Sequence, residues 1–317
     1  MSIKTRKIGI LGAGNVGAHM GLQLVVQGIA DEIVFYDIAK EKTDGEIRDI
    51  LDGVSYYPHH VEVYQGTVDD MKDADIIINT VGGSMKLTND RLVLLENTIK
   101  INKQLVPLIE KSGFDGIIMS ITNPCDVVVQ YLQYKLDWPK NKIFGSGTAL
   151  DSARLQLMLC QQLKINRNSI NAYLLGEHGN SAMIPWSHVS VAGKQIDELL
   201  REQSDRYKIE PKDVILQKVK NQGYIENSSK GCTEYGVTAS TSELVRAVLH
   251  NEHKIIPCAV YLDGQYGVHD VYTSVPAIIG KDGVEGIIEI NLTDDERKEF
   301  LASVDVLKSY FKKALKV

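Results

Sequence analysis

The chain has 317 residues, room for about two domains and for a core that needs no metal or disulfide staple. Its 35 Lys and Arg against 41 Asp and Glu leave a net charge of −6, whereas nucleic-acid binders carry a basic excess. The four cysteines, Cys125, Cys160, Cys232 and Cys258, form no Cys-x-x-Cys pair, and no window approaches the ~18 apolar residues of a membrane span. The expectation is a soluble, reduced, cytoplasmic protein with neither a nucleic acid nor a membrane as partner. Lys4, Arg6 and Lys7 before an apolar run resemble the start of a signal peptide, but Gly12, Gly14 and Asn15 interrupt that run.

The first third alternates short apolar runs with amphipathic ones. Strands are predicted at Lys7–Leu11, Glu32–Asp37, Val61–Tyr64, Asp75–Asn79 and Ile117–Ile121. Helices are predicted over Val16–Gly28, Ala39–Asp52 and Asp90–Lys111. Continuous apolar strands separated by helices imply a parallel sheet covered on both faces, a doubly wound α/β unit. Its ligand belongs beyond the carboxyl ends of the strands. From about Gly147 the pattern changes. A helix is predicted over Asp151–Leu163 and a strand at Ala172–Leu175. Ala277–Gly280 and Ile287–Ile290 read as strands of a smaller antiparallel sheet. Thr293 to Glu296 fits a capping box, and Phe300, Val304, Leu307, Phe311 and Leu315 follow at helical spacing. The division is placed at 1–147 and 148–317.

Gly12-Ala13-Gly14-Asn15-Val16-Gly17 is a G-x-G-x-x-G. At this glycine content, chance alone gives about 0.17 matches per chain, so context has to discriminate. The loop leaves an apolar strand and opens a helix, where backbone N–H groups bind phosphate. Asp37 ends the next strand, placed to accept hydrogen bonds from both ribose hydroxyls of an adenine dinucleotide. The same charge repels a 2′-phosphate, so NAD is expected over NADP. The bland alternative is a glycine turn that binds nothing. Tyr131-x-x-x-Lys135 imitates the Tyr-x-x-x-Lys of short-chain dehydrogenases, but counting Lys and Arg together as an upper bound, such pairs arise by chance about 1.5 times in such a chain.

Three segments offer chemistry. His178, bracketed by Gly176 and Gly179, has a setting that the other seven histidines lack, although an isolated histidine is more often structural. His250 and His253 lie three apart on an expected helix, with no third ligand for a metal. Asp151 and Arg154 share a helix face. Asp151 can orient an imidazole while Arg154 forks a carboxylate, or the two can simply pair. The segment from Gly82 to Arg91 is a loop able to close over a cofactor and carry Arg91 inward, or an exposed loop with a solvated arginine. Asn123-Pro124 adds an amide at another strand end.

Taken in order, the glycine loop, Asp37, the Arg91 loop, Thr122-Asn123-Pro124, Asp151-Ser-Ala-Arg154 and Gly176-Glu-His178-Gly resemble the L-lactate/malate dehydrogenase superfamily over essentially the whole chain. Leu175-Gly-Glu-His-Gly-Asn180-Ser181 and Lys230-Gly-Cys-Thr233-Glu-Tyr-Gly are most similar to L-2-hydroxyisocaproate and L-lactate dehydrogenases. The resemblance implies a Rossmann NAD-binding domain followed by an α+β catalytic domain. It also implies reversible hydride transfer between NADH and a 2-oxo acid. His178 would be the acid/base, with Asp151 holding its tautomer. Arg154 would grip the substrate carboxylate and Arg91 would polarise its carbonyl. Asn123 would serve both substrate and cofactor, Thr233 would line the substrate pocket, and Gly12, Gly14, Asn15, Val16, Gly17 and Asp37 would hold NAD. Met85 stands where malate enzymes place an Arg, which argues against a second substrate carboxylate, although Lys86 is its neighbour. Asn180 departs from the usual Asp of lactate enzymes. Gln156 and Asn171 replace the cations of sugar-bisphosphate-activated enzymes, so no such activator is expected. A homotetramer, or a homodimer, is what the family implies. The alternatives are a malate dehydrogenase and a catalytically idle NAD-binding regulator.

Overall fold

The computed structural model describes residues 5–82 and 91–317. Six parallel strands come from the first half: β1 (Lys7–Leu11), β2 (Glu32–Tyr36), β3 (Glu62–Gln65), β4 (Ile76–Asn79), β5 (Ile117–Ser120) and β6 (Ile143–Gly145). Between them run α1 (Asn15–Val26), α2 (Lys40–Asp52), α3 (Arg91–Ser112) and α4 (Cys125–Leu136). The strands lie in the order β3-β2-β1-β4-β5-β6, which is the doubly wound arrangement. Every residue of β1, β4 and β5 is buried, as continuous apolar strands covered on both faces require. The order reverses between β1 and β4, so the crevice for a ligand opens at the carboxyl ends of those two strands.

The second half is built differently from its expected pattern. It begins with α5 (Ala149–Leu163). A small antiparallel sheet follows, of β7 (Ile170–Asn171), β8 (Ser190–Val191) and β9 (Lys194–Gln195). Then come α6 (Ile196–Glu202), α7 (Lys212–Lys230) and α8 (Tyr235–Leu249). Next are β10 (Lys254–Leu262), β11 (Val271–Gly280), β12 (Gly283–Ile287) and the terminal α9 (Asp294–Ala314). The two segments read as a separate smaller sheet are not one. β11 and β12 pair with β10, and β10 joins β6 antiparallel through Ala259 and Gly145, so one sheet of nine strands crosses position 147. Residues 288–290 lie beyond the last strand. Gly145 permits the junction: a Cβ there would stand 2.6 Å from Cys125 Sγ.

The strand expected at Ala172–Leu175 is also corrected. Only Leu175 and Gly176 form bridges, to Met183 and Ser274. Side chains of the α5 region replace a partner strand. Ser152 Oγ accepts the Leu174 N–H at 2.9 Å, and Thr148 Oγ1 donates to the Leu174 carbonyl at 2.6 Å. His250 and His253 are not on a helix, because α8 ends at Leu249. His253 turns at φ 49° and pairs with Glu285 at 2.7 Å.

Apolar burial divides in two. One cluster surrounds the nine-stranded sheet, and a second joins Leu155 and Leu159 of α5 to Ile196 of α6 and to Ile215 and Val219 of α7. The capping box of α9 is formed: Thr293 accepts from the Glu296 N–H, and Glu296 accepts from the Thr293 N–H at 3.0 Å. Phe300, Val304 and Leu307 carry α9 into the main core. Thr293→Ala therefore costs about 1 kcal/mol and lowers Tm by about 2 °C in thermal unfolding. An unaltered Tm contradicts a stabilising role for the cap.

Candidate active site

The irregular segment before His178 is pinned from several sides. Gly176 exchanges backbone hydrogen bonds of 3.0 Å with Ser274 of β11, and the Glu177 N–H donates to Ser303 Oγ of α9 at 2.8 Å. The His178 N–H donates to Asp126 Oδ2 of α4 at 2.9 Å. Gly176 adopts φ 91°, and a Cβ there would lie 2.5 Å from Ser303 Oγ, so this position needs glycine. The backbone is thus fixed before the imidazole makes any contact.

The imidazole then meets the first turns of α5. His178 Nδ1 lies 2.6 Å from Asp151 Oδ2. An ionised carboxylate only accepts, so Nδ1 carries the hydrogen and Nε2 faces away from Asp151. The other Asp151 oxygen accepts from Arg154 Nη1 at 3.2 Å. One buried carboxylate therefore orients an imidazole and a guanidinium together. Burial would raise the Asp151 pKa, but His178 and Arg154 outweigh it and hold the carboxyl below its usual value. Burial would lower the His178 pKa, but the charge and hydrogen bond of Asp151 outweigh it, with a further push from Asp126. The net shift is upward from 6.5.

Sequence reasoning missed two acids here. Asp126 is fully buried, and burial pushes its pKa up to about 7. Its place three residues after Asn123 was the one available signal. Glu226 of α7 accepts from Arg154 Nη2 at 2.7 Å. Nothing in the polar sequence of α7 distinguishes it.

The glycine loop fits a dinucleotide. Gly12 has φ 95°, with a Cβ only 2.7 Å from Thr80 Oγ1, and a Cβ on Gly17 would fall 1.9 Å from the Gly12 carbonyl oxygen. That contact brings α1 against β1. Among the described residues, an added Cβ at Gly14 meets nothing within 4 Å, and no side chain caps α1. The first N–H groups of α1 thus have no side-chain cap among the described residues, which leaves them available to a pyrophosphate. Asp37 accepts the Ala13 N–H at 2.7 Å and the Ala39 N–H at 2.8 Å, one on each oxygen. Each oxygen keeps capacity for a ribose hydroxyl. The Asn15 amide donates to Cys232 Sγ at 3.2 Å, which brings the residue before Thr233 to the cofactor loop.

His178, Asp151 and Arg154 are thus brought together. Asn123 is exposed beyond β5, and Thr233 is half-buried in the turn between α7 and α8. Met85 lies outside the described residues. Arg91 opens α3, and its side chain is outside the description as well. No group of three His, Cys, Asp or Glu able to hold a metal occurs among the described residues. Gln156 and Asn171 line one cavity of about 480 Å³, which also carries Arg167 and Lys254, two cations that the sequence reading did not place there. The Gly17 contact yields a prediction. Gly17→Ala separates α1 from β1 and weakens NADH binding by at least about ten-fold in fluorescence titration. Unchanged affinity contradicts this account of the loop.

Comparisons with known proteins give the family and the fold. The family model described as lactate/malate dehydrogenase, NAD binding domain, matches residues 6–145, and that for the alpha/beta C-terminal domain matches 148–317. L-lactate dehydrogenase 3 of Bacillus thuringiensis subsp. konkukian is 40% identical over 98% of this chain and 99% of its own. The L-lactate dehydrogenase of Fusobacterium nucleatum is 38% identical over 97% of this chain and 96% of its own. A crystal structure of the minor L-lactate dehydrogenase of Enterococcus mundtii superposes with a TM-score of 0.93 at 36% identity, covering 97% of this chain and 98% of that one. The chain belongs to the lactate/malate dehydrogenase family.

Proposed function

We propose that the protein is an NAD-dependent L-2-hydroxyacid dehydrogenase of the L-lactate or L-2-hydroxyisocaproate type. The observation that carries this reading is the Asp151 carboxylate shared by His178 Nδ1 and Arg154 Nη1. Bound NADH supplies the hydride that reaches C2 of the oxo acid. The protein supplies the proton and the geometry. Arg154 forks the substrate carboxylate, as a planar guanidinium does and an ammonium cannot. The carbonyl oxygen then meets His178 Nε2, which donates its proton as negative charge grows on that oxygen. Asp151 stabilises the imidazolium before transfer and keeps Nδ1 protonated after it.

Several roles extend this reading. Arg91 at the start of α3 polarises the carbonyl, Asn123 hydrogen-bonds near the same oxygen and the cofactor, and Thr233 lines the pocket. Met85 leaves a second substrate carboxylate unpaired, which favours pyruvate or bulkier apolar oxo acids over oxaloacetate. We place the cofactor unit at residues 1–147 and the catalytic unit at 148–317, in a cytoplasmic homotetramer or homodimer with no sugar-bisphosphate activator. No helix among the described residues is long and apolar enough to cross a membrane.

Two measurements follow. In an assay of NADH oxidation, kcat/KM for pyruvate or 4-methyl-2-oxopentanoate exceeds that for oxaloacetate by at least about 100-fold. A preference for oxaloacetate points to a malate dehydrogenase instead, and no turnover with any of the three points to an idle regulator. The pH profile tests the proton donor. Reduction needs protonated His178, so its rate holds below the raised His178 pKa and falls as pH rises through it. Oxidation of the hydroxy acid shows the reverse limb. Asp151→Asn removes the raising charge, so the reduction limb moves to lower pH and kcat/KM falls by about 100-fold or more. A limb that stays in place contradicts the assignment.

A further inference from the structure

Arg154 makes two carboxylate contacts, and they differ in kind. Asp151 is 9% exposed and is also the partner of His178, so it is fixed. Glu226 is 34% exposed and belongs to a different helix, α7. It has a second partner, because Gln222 Nε2 donates to its other oxygen at 3.1 Å. Water and Gln222 can therefore satisfy Glu226 once Arg154 is gone, whereas Asp151 has no such alternative.

The room over the guanidinium lies on the α7 side as well. Gly223 stands one turn before Glu226 on the same helix face. A Cβ on Gly223 would lie 3.7 Å from Arg154 Nη2 and 3.8 Å from Nη1, so any longer side chain would cover the guanidinium. Among the described residues nothing but the guanidinium lies within 4 Å of that position, and the Glu226 carboxylate reaches to 2.7 Å from Nη2.

We infer that Glu226 is a built-in competitor for Arg154, which a substrate carboxylate displaces on binding. This rests on the reading of Arg154 as the carboxylate-binding group. Glu226 is a positioning residue: it holds Arg154 while the site is empty and weakens every oxo acid by the contact that must be given up. Once displaced, it stays on the face of α7 beside Gly223, where its charge opposes a second carboxylate on the substrate. Discrimination against dicarboxylates then comes from this repulsion as well as from the neutral side chain at Met85.

The test compares wild type with Glu226→Gln, using Glu226→Ala as a second variant. KM is measured for pyruvate and oxaloacetate at saturating NADH. Binding of oxamate, an amide isostere of pyruvate that takes no hydride, is measured by calorimetry on the NADH-loaded protein. The expected result is a fall of about three- to ten-fold in both the KM for pyruvate and the Kd for oxamate, the size of a partly exposed charged hydrogen bond. The gain lies in KM rather than kcat, and kcat/KM for oxaloacetate rises by a larger factor than that for pyruvate. Loss of packing would not tighten binding. An unchanged or raised Kd for oxamate in both variants overturns the inference and makes Glu226 a support for Arg154. Tighter oxamate binding without pyruvate reduction by wild type leaves the inference standing and removes the dehydrogenase reading. Pyruvate reduction with no gain on substitution does the opposite.

Discussion

The site depends on one buried carboxylate. Asp151 sits in the first turns of α5 with little contact to water, and a lone carboxylate there would be strongly disfavoured. Its two oxygens are divided between an imidazole and a guanidinium, His178 Nδ1 at 2.6 Å and Arg154 Nη1 at 3.2 Å. Removing either partner leaves a buried charge under-compensated, so the three groups form one unit. In the proposed function, the same division fixes the spacing between His178 as proton donor and Arg154 as carboxylate grip. A 2-oxo acid presents its carboxylate and its carbonyl oxygen on adjacent carbons, and it needs those two functions side by side.

The fold holds this unit from unrelated directions. α5 presents Asp151 and Arg154 one turn apart, and its region also binds Leu174 through Ser152 and Thr148. β11 fixes Gly176, α9 fixes Glu177 and α4 fixes the His178 N–H. A short irregular segment thereby gains the rigidity of four regular elements. The parallel half of the sheet supplies the other component, a glycine loop whose uncapped helix N-terminus lies at the carboxyl end of β1. The hydrogen bond from Asn15 to Cys232 joins that loop to the α7–α8 turn, which carries Thr233.

Most of the parallel half was legible in the sequence: β1, β4 and β5 are continuous apolar runs and α1 to α3 were legible as helices between them, whereas β6, only three residues long, and α4, directly after Asn123-Pro124, were not. The glycine loop was legible because Asp37 follows at the end of the next strand. The second half was less so. β10 starts with Lys254 and contains Pro257, both poor signals for a strand that pairs on two sides. Ala172–Leu175 has an apolar strand pattern, but its partners are hydroxyls of Thr148 and Ser152, which no periodicity reveals. Asp151 and Arg154 were legible as one helix face, and His178 by its glycines. That they meet across 27 residues follows only from the fold. Asp126 and Glu226 were missed because their importance lies in burial and in a neighbour on another helix.

The central claim is that Asp151 fixes the His178 tautomer and raises its pKa. A ¹⁵N NMR titration of the His178 imidazole in the wild-type protein tests it most directly. The account predicts that Nδ1 stays protonated throughout and that Nε2 titrates with a midpoint above 6.5. A midpoint at or below 6.5, or a proton lost from Nδ1 instead, would contradict it.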